Sequence, residues 1–136
     1  IASPKYWRDC MDHMLSINPQ IKFIIITDDT ATAQRYIPGV PCFHVEIGFD
    51  FYVVRNSKYL ILANSSFSWW GGWLNQSAKL ILGPKYWGRS NLSNGYWSLG
   101  DLYSRFFKYM DRDGNISDFE TCKSEALNFY KNNGLI

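Results

Sequence analysis

Long hydrophobic runs are missing from this chain. Its apolar stretches last only a few residues, far short of the roughly 20 that a membrane-crossing helix needs, so no integral membrane segment is expected. Charge of one sign is missing as well. With 14 basic and 12 acidic residues the net charge is +2, and no Lys/Arg run forms the basic patch that nucleic acid calls for. Cysteine is scarce: Cys10, Cys42 and Cys122 are odd in number and widely spaced. They fit neither a disulfide framework nor a zinc site, and read as small hydrophobes in a reducing compartment. His13 and His44, the two histidines, have no spacing to a partner that makes a metal ligand or a triad. Glu46 stands near His44, which alone is weak ground for naming a base. Asp111 to Glu120 imitates a calcium loop but is two residues short of the required 12 and has no Gly at position six. A tight turn into a capped helix accounts for it. No metal is therefore expected.

What the chain does have is aromatic residues. Six Trp, nine Tyr and nine Phe make up 18% of 136 residues, more than one small core needs, so some are expected to line a cleft or an interface. The length suits a single domain. The chain opens at Ile1 without a Met, so an upstream part is expected to be missing and targeting is not legible. Four N-x-S triplets, at Asn64, Asn75, Asn91 and Asn115, read as coincidence in a chain rich in Asn and Ser.

The hydrophobic pattern alternates between two periods. Pro4 to Ile17 reads as a helix with Trp7, Cys10, Met11, Met14 and Leu15 on one face, stopped by Asn18-Pro19. Lys22 to Thr27 reads as a strand buried on both faces, followed by a short helix from about Thr30 to Tyr36. Cys42 to Val45 is a brief strand and Phe49 to Lys58 a helix. Tyr59 to Ala63 is a second buried strand, Ser66 to Leu74 a helix, and Lys79 to Leu82 a strand ended by Gly83-Pro84. Strands alternating with helices predict an α/β fold, a Rossmann-like parallel sheet flanked by helices. Beyond it, 85–100 reads as an aromatic loop and Leu102 to Met110 has no clear type. Ser117-x-x-Glu120 signals a capping box for a closing helix to about Asn132. The expected organisation is a core over 1–84 and a loop and helical extension of the same domain over 85–136.

In open parallel sheets ligands collect beyond the carboxyl ends of the strands. Two polar clusters fall there: Thr27-Asp28-Asp29, and Asn64-Ser65-Ser66-Phe67-Ser68 before a helix. Hydroxyls and backbone N–H groups at a helix start suit a phosphate. On spacing alone, however, a plain helix cap by Ser66 or Ser68 is the favoured reading.

The string from Lys58 to Trp87 changes that balance. Asn64-Ser65-Ser66-Phe67-Ser68-Trp69-Trp70-Gly71-Gly72-Trp73-Leu74, followed by a strand and Pro84-Lys85-Tyr86-Trp87, closely resembles family 11 glycosyltransferases, the α-1,2-fucosyltransferases. Phe23 to Asp29 resembles that family's strand ending in Ser-Asp-Asp, and Asp50 the acid opening the helix before the block. The likeness covers residues 5 to 87. It implies the carboxyl-terminal, donor-binding lobe of a GT-B glycosyltransferase, with an amino-terminal lobe missing from this chain. It implies a GDP-fucose donor, a glycan hydroxyl as acceptor, inversion at the anomeric carbon and no metal. Carried over, Ser65, Ser66 and Ser68 would hold the diphosphate, with Asn64 in the same block. Asp50 would meet the guanine, and Asp28 and Asp29 would flank the nucleoside. Phe67 would pack on the base or fix the turn, whereas Trp69, Trp70 and Trp73 would anchor the helix to the sheet. The family's His-x-Arg-Arg-Gly-Asp motif is absent, which leaves the catalytic residues unassigned. A non-catalytic nucleotide- or carbohydrate-binding module is therefore the alternative. The compartment expected is the cytoplasm for a bacterial or viral protein, preferred here, and the Golgi lumen for a eukaryotic one.

Overall fold

The computed structural model describes residues 2–86 and 103–134; most of the loop expected over 85–100 and the Asn91 triplet lie outside them. In chain order the elements are α1 (Pro4–Ile17), β1 (Ile25–Ile26), α2 (Thr30–Tyr36), β2 (Cys42–Phe43), α3 (Ile47–Asn56), β3 (Tyr59–Ile61), α4 (Ser66–Trp73), β4 (Leu80–Pro84), β5 (Lys108–Met110), β6 (Ile116–Ser117) and α5 (Phe119–Asn132). The main sheet has the order β3-β4-β5-β6. Its β3–β4 and β4–β5 pairs are parallel, and β6 returns antiparallel to β5. The expected α/β class is therefore what the chain adopts. No helix of the described residues is long and apolar enough to cross a membrane.

Strand alternation divides the core into two layers. On one face Leu60, Leu62, Ile81 and Tyr109 meet Val54 of α3, Phe107 and Cys122 of α5. On the other, Leu82 and Met110 meet Tyr6, Cys10 and Met14 of α1, which recur every four residues and so form one helix stripe. Ser3 caps α1 by accepting from Tyr6 N at 3.2 Å, and Pro4 needs no donor in the first turn. The buried Tyr6 hydroxyl donates to the Leu62 carbonyl at 2.8 Å, tying α1 to the end of β3. Lys85 is buried at the end of β4, where Glu125 of α5 at 2.7 Å and Ser117 Oγ at 3.1 Å satisfy it.

Three expectations need correction. The strand over Lys22 to Thr27 pairs only at Ile25–Ile26, with β2, in a two-stranded sheet of its own. It is not buried on both faces, since Ile24 is 51% exposed; among the described residues its second edge has no strand against it. Gly83-Pro84 does not end the strand before it but forms its last two residues, paired with Tyr109 and Met110. The cap of α5 is Asp118, which accepts from Thr121 N, because Ser117 is held in β6 opposite Tyr109. The pairing of β5 with β4 also joins the 85–136 region to the sheet.

The buried face of α4 is made of glycine. A Cβ on Gly71 would stand 2.5 Å from Val54 Cγ1, and one on Gly72 would stand 3.1 Å from Phe107 Cζ and 3.2 Å from Leu62 Cδ1. Alanine at position 71 gains about 0.5–1 kcal/mol of helix propensity but forces an overpacked contact costing about 1–3 kcal/mol. Gly71→Ala should therefore lower the urea denaturation midpoint, and an unchanged midpoint would contradict this packing of α4.

Candidate functional site

The carboxyl end of β3 leads through Asn64 and Ser65 into α4. Ser65 occupies the N-cap position with extended backbone (φ −145°, ψ 133°) but makes no side-chain cap hydrogen bond. The plain capping role is thus unfilled, and the first-turn amides of Ser66 to Ser68 keep the donor capacity that favours an anion. Ser66 is exposed. Ser68 Oγ lies 3.0 Å from both the Ala63 and Ser65 carbonyls, so its single hydrogen is spent inside the turn. Asn64 Nδ2 donates to the Tyr86 carbonyl at 2.9 Å, which braces the ends of β3 and β4. Phe67 packs edge-on against Phe51 of α3, with centroids 5.5 Å apart, so it fixes the turn.

Asp28 and Asp29 are exposed beyond β1. Asp29 caps α2 by accepting from Thr32 N at 3.0 Å, and this bond from the Thr32 amide holds its carboxyl below the usual range. Asp50, on the first turn of α3, is only 4% exposed. One of its oxygens lies 2.6 Å from His44 Nδ1, and the other accepts from Val45 N at 3.2 Å. Burial pushes the Asp50 pKa up, but the bonds from His44 and Val45 outweigh it and leave the carboxyl below its ordinary value. Both carboxylate oxygens already have partners. The His44–Asp50 pair was not foreseen; the signal was an acid in the first turn of a helix, six residues after a histidine at a strand end. Glu46, weighed as a base, is the N-cap of α3 and accepts from Phe49 N.

A cavity of about 740 Å³ opens between β1 and β3 beneath α1, α2 and α3, within the size range of small-ligand sites. Its walls are mainly apolar. At the carboxyl ends of the strands Thr27, Asp29, Phe67 and Ser68 line it, whereas Asp28, Asn64, Ser65 and Ser66 do not; the space reaches one part of each polar cluster. Lys22 and Lys58 line it too, but they precede β1 and β3 and so belong to the opposite edge.

The tryptophans divide. Trp69 packs on the core and meets Phe107 at 6.1 Å. Trp70 and Trp73 are 50% and 44% exposed and meet each other at 5.5 Å. They do not anchor the helix; the two glycines between them take the buried face. The remaining groups are structural. Burial pushes the Cys10 and Cys122 thiols up to about 12. Asp111 accepts from the amides of Asp113 and Asn115 in its own turn. No cluster of three metal-ligating side chains occurs among the described residues.

Two curated relatives bear on this arrangement. An Alpha-1,2-colitosyltransferase of Escherichia coli is 27% identical over 96 residues, 64% of this chain and 33% of that protein. The O-antigen biosynthesis glycosyltransferase WbnK of Escherichia coli is 26% identical over 94 residues, 63% of this chain and 31% of that protein. This chain is similar to bacterial glycosyltransferases. The match spans about a third of the length of these relatives. No family model matches the chain, and no solved structure does.

The His44–Asp50 pair has a pH signature. Because the folded pKa of Asp50 lies below its unfolded value, its stabilisation is complete above the ordinary carboxylate range, about pH 4, and is lost as pH falls through the folded value. The stability difference between wild type and Asp50→Asn should therefore shrink from pH 6 to pH 3 in denaturation experiments. A constant difference would show that the carboxylate is not held by His44 and Val45.

Proposed function

We propose that this chain is the donor-binding part of a glycosyltransferase that moves fucose from GDP-fucose to a glycan hydroxyl, with inversion and without a metal. The observation that carries the reading is the uncapped serine turn at the head of α4, beside a cavity at the strand ends. Its support is the likeness to glycosyltransferases and the match of residues 64 to 74 to the fucosyltransferase block. In this reading the amides of Ser66 to Ser68, with the hydroxyls of Ser65 and Ser66, receive the diphosphate. They stabilise the charge that grows on GDP as the bond from the anomeric carbon to the phosphate oxygen breaks. Asn64 and Ser68 hold the turn in shape. The name of one relative specifies colitose as its sugar; fucose is proposed here from the residue block, and the partner molecules are a nucleotide sugar and a glycan acceptor.

One fact favours a second reading, a non-catalytic nucleotide- or carbohydrate-binding module: none of the 136 residues forms a His-x-Arg-Arg-Gly-Asp motif. Reading the encoding gene upstream of Ile1 separates the two: that motif in frame supports the transferase, and its absence supports the module.

Calorimetric titration tests the shared premise. A hydroxyl donating to a phosphate is a charge-assisted bond, so the double variant Ser65→Ala/Ser66→Ala should weaken GDP about tenfold or more while guanosine is unaffected. Equal weakening of both ligands would remove the phosphate role.

A further inference from the structure

His44 and Asp50 are a built pair that the serine turn does not use. Asp50 is nearly inaccessible, and its carboxylate receives His44 Nδ1 at 2.6 Å and the Val45 amide at 3.2 Å. The His44 side chain is 45% exposed, and its Nε2 has no partner among the described residues. A proton on Nδ1, donated to the carboxylate, leaves Nε2 of the neutral ring as an acceptor.

The pair stands beside the turn. Thr27 N donates to the Phe43 carbonyl at 3.1 Å, so His44 follows β2 at the same sheet edge that Thr27 to Asp29 occupy after β1. Asp50 adjoins Phe51, whose ring packs on Phe67, the residue between Ser66 and Ser68. The first turns of α3 and α4 therefore lie side by side. Glu46 is spent on the α3 cap and does not compete for the imidazole.

We propose that His44 is the nucleoside-contacting residue of the donor site and Asp50 its positioning residue, with Nε2 accepting a hydrogen bond from the nucleoside of a diphosphate seated on α4. This rests on the donor-binding reading above. It replaces Asp50 as the direct contact, because that carboxylate is 6% exposed whereas the imidazole is 45% exposed. The chemistry selects the nucleoside over the phosphate: a lone pair backed by a carboxylate repels an anion and attracts a base N–H or a ribose O–H.

The test titrates GDP and, separately, inorganic pyrophosphate into the full chain. His44→Phe keeps a ring but no acceptor. It should raise the Kd for GDP about tenfold and leave pyrophosphate unchanged, with part of the loss recovered in His44→Gln. In wild type, GDP should move the ¹⁵N resonance of His44 Nε2 while Nδ1 keeps its carboxylate-bonded shift; His13 is the one other histidine. Unchanged GDP affinity in His44→Phe overturns the inference alone, as does an equal loss of GDP and pyrophosphate, which marks a structural role. Failure of wild type to bind either compound overturns the inference together with the donor-binding reading.

Discussion

Carbon atoms of residues far apart in the chain do not pack as close as 2.5 Å, yet that is the distance a Cβ on Gly71 would have from Val54 Cγ1. The fit of α4 against α3 and the sheet depends on that missing atom and on its neighbour at Gly72. Since α4 lies this close, Phe67 reaches Phe51, Trp69 reaches the core, and the serine turn is held at the carboxyl end of β3. Moving the helix outward would separate the serine turn from the His44–Asp50 pair, because the aromatic contact between the helices is what joins them. Close packing that looks structural is thus also what assembles the polar edge.

Much of this fold was legible because local signals and tertiary packing agree. The helix of Pro4 to Ile17 has a capping serine, a first-turn proline and one apolar stripe, and its observed bounds match. The parallel pairing of β3 with β4 follows from two short apolar runs separated by a helix. Where the reading failed, the deciding contact was remote in sequence. Ile24 and its neighbours look like a buried strand by composition, but burial needs both faces covered, and Ile24 is 51% exposed, outside the two residues that pair with β2. Ser117 looks like a cap until β6 claims it for Tyr109. The hydrophobic pattern places the start of α3 at Phe49, whereas the helix begins at Ile47 behind Glu46, a less common cap than Ser or Asp.

The site was legible in its position more than in its bonding. Asn64 to Ser68 do stand at a strand end before a helix, as the pattern required. Sequence spacing does not reveal which polar atoms are already occupied, and here that decides their roles. Ser68 and Asn64 spend their hydrogens on backbone carbonyls, so they shape the turn. Ser65 leaves its cap unmade, which is what exposes the amides. Asp50 is buried against an imidazole, so the exposed member of that pair is His44 rather than the carboxylate.

The placement of positive charge completes the picture. Arg35 and Arg55 lie in the last turns of α2 and α3, where the helix dipole favours cations. In a βα unit those turns lie at the amino edge of the sheet, away from the serine turn. Arg105 pairs with Glu120, and Lys85, although at the right edge, is neutralised by Glu125. Arg112 follows β5 and is engaged over the Tyr86 ring at 5.2 Å. Among these groups the attraction for a diphosphate on α4 comes from amide dipoles, equivalent to roughly half a charge. In the proposed donor-binding role, the turn therefore contributes dipoles rather than a formal charge.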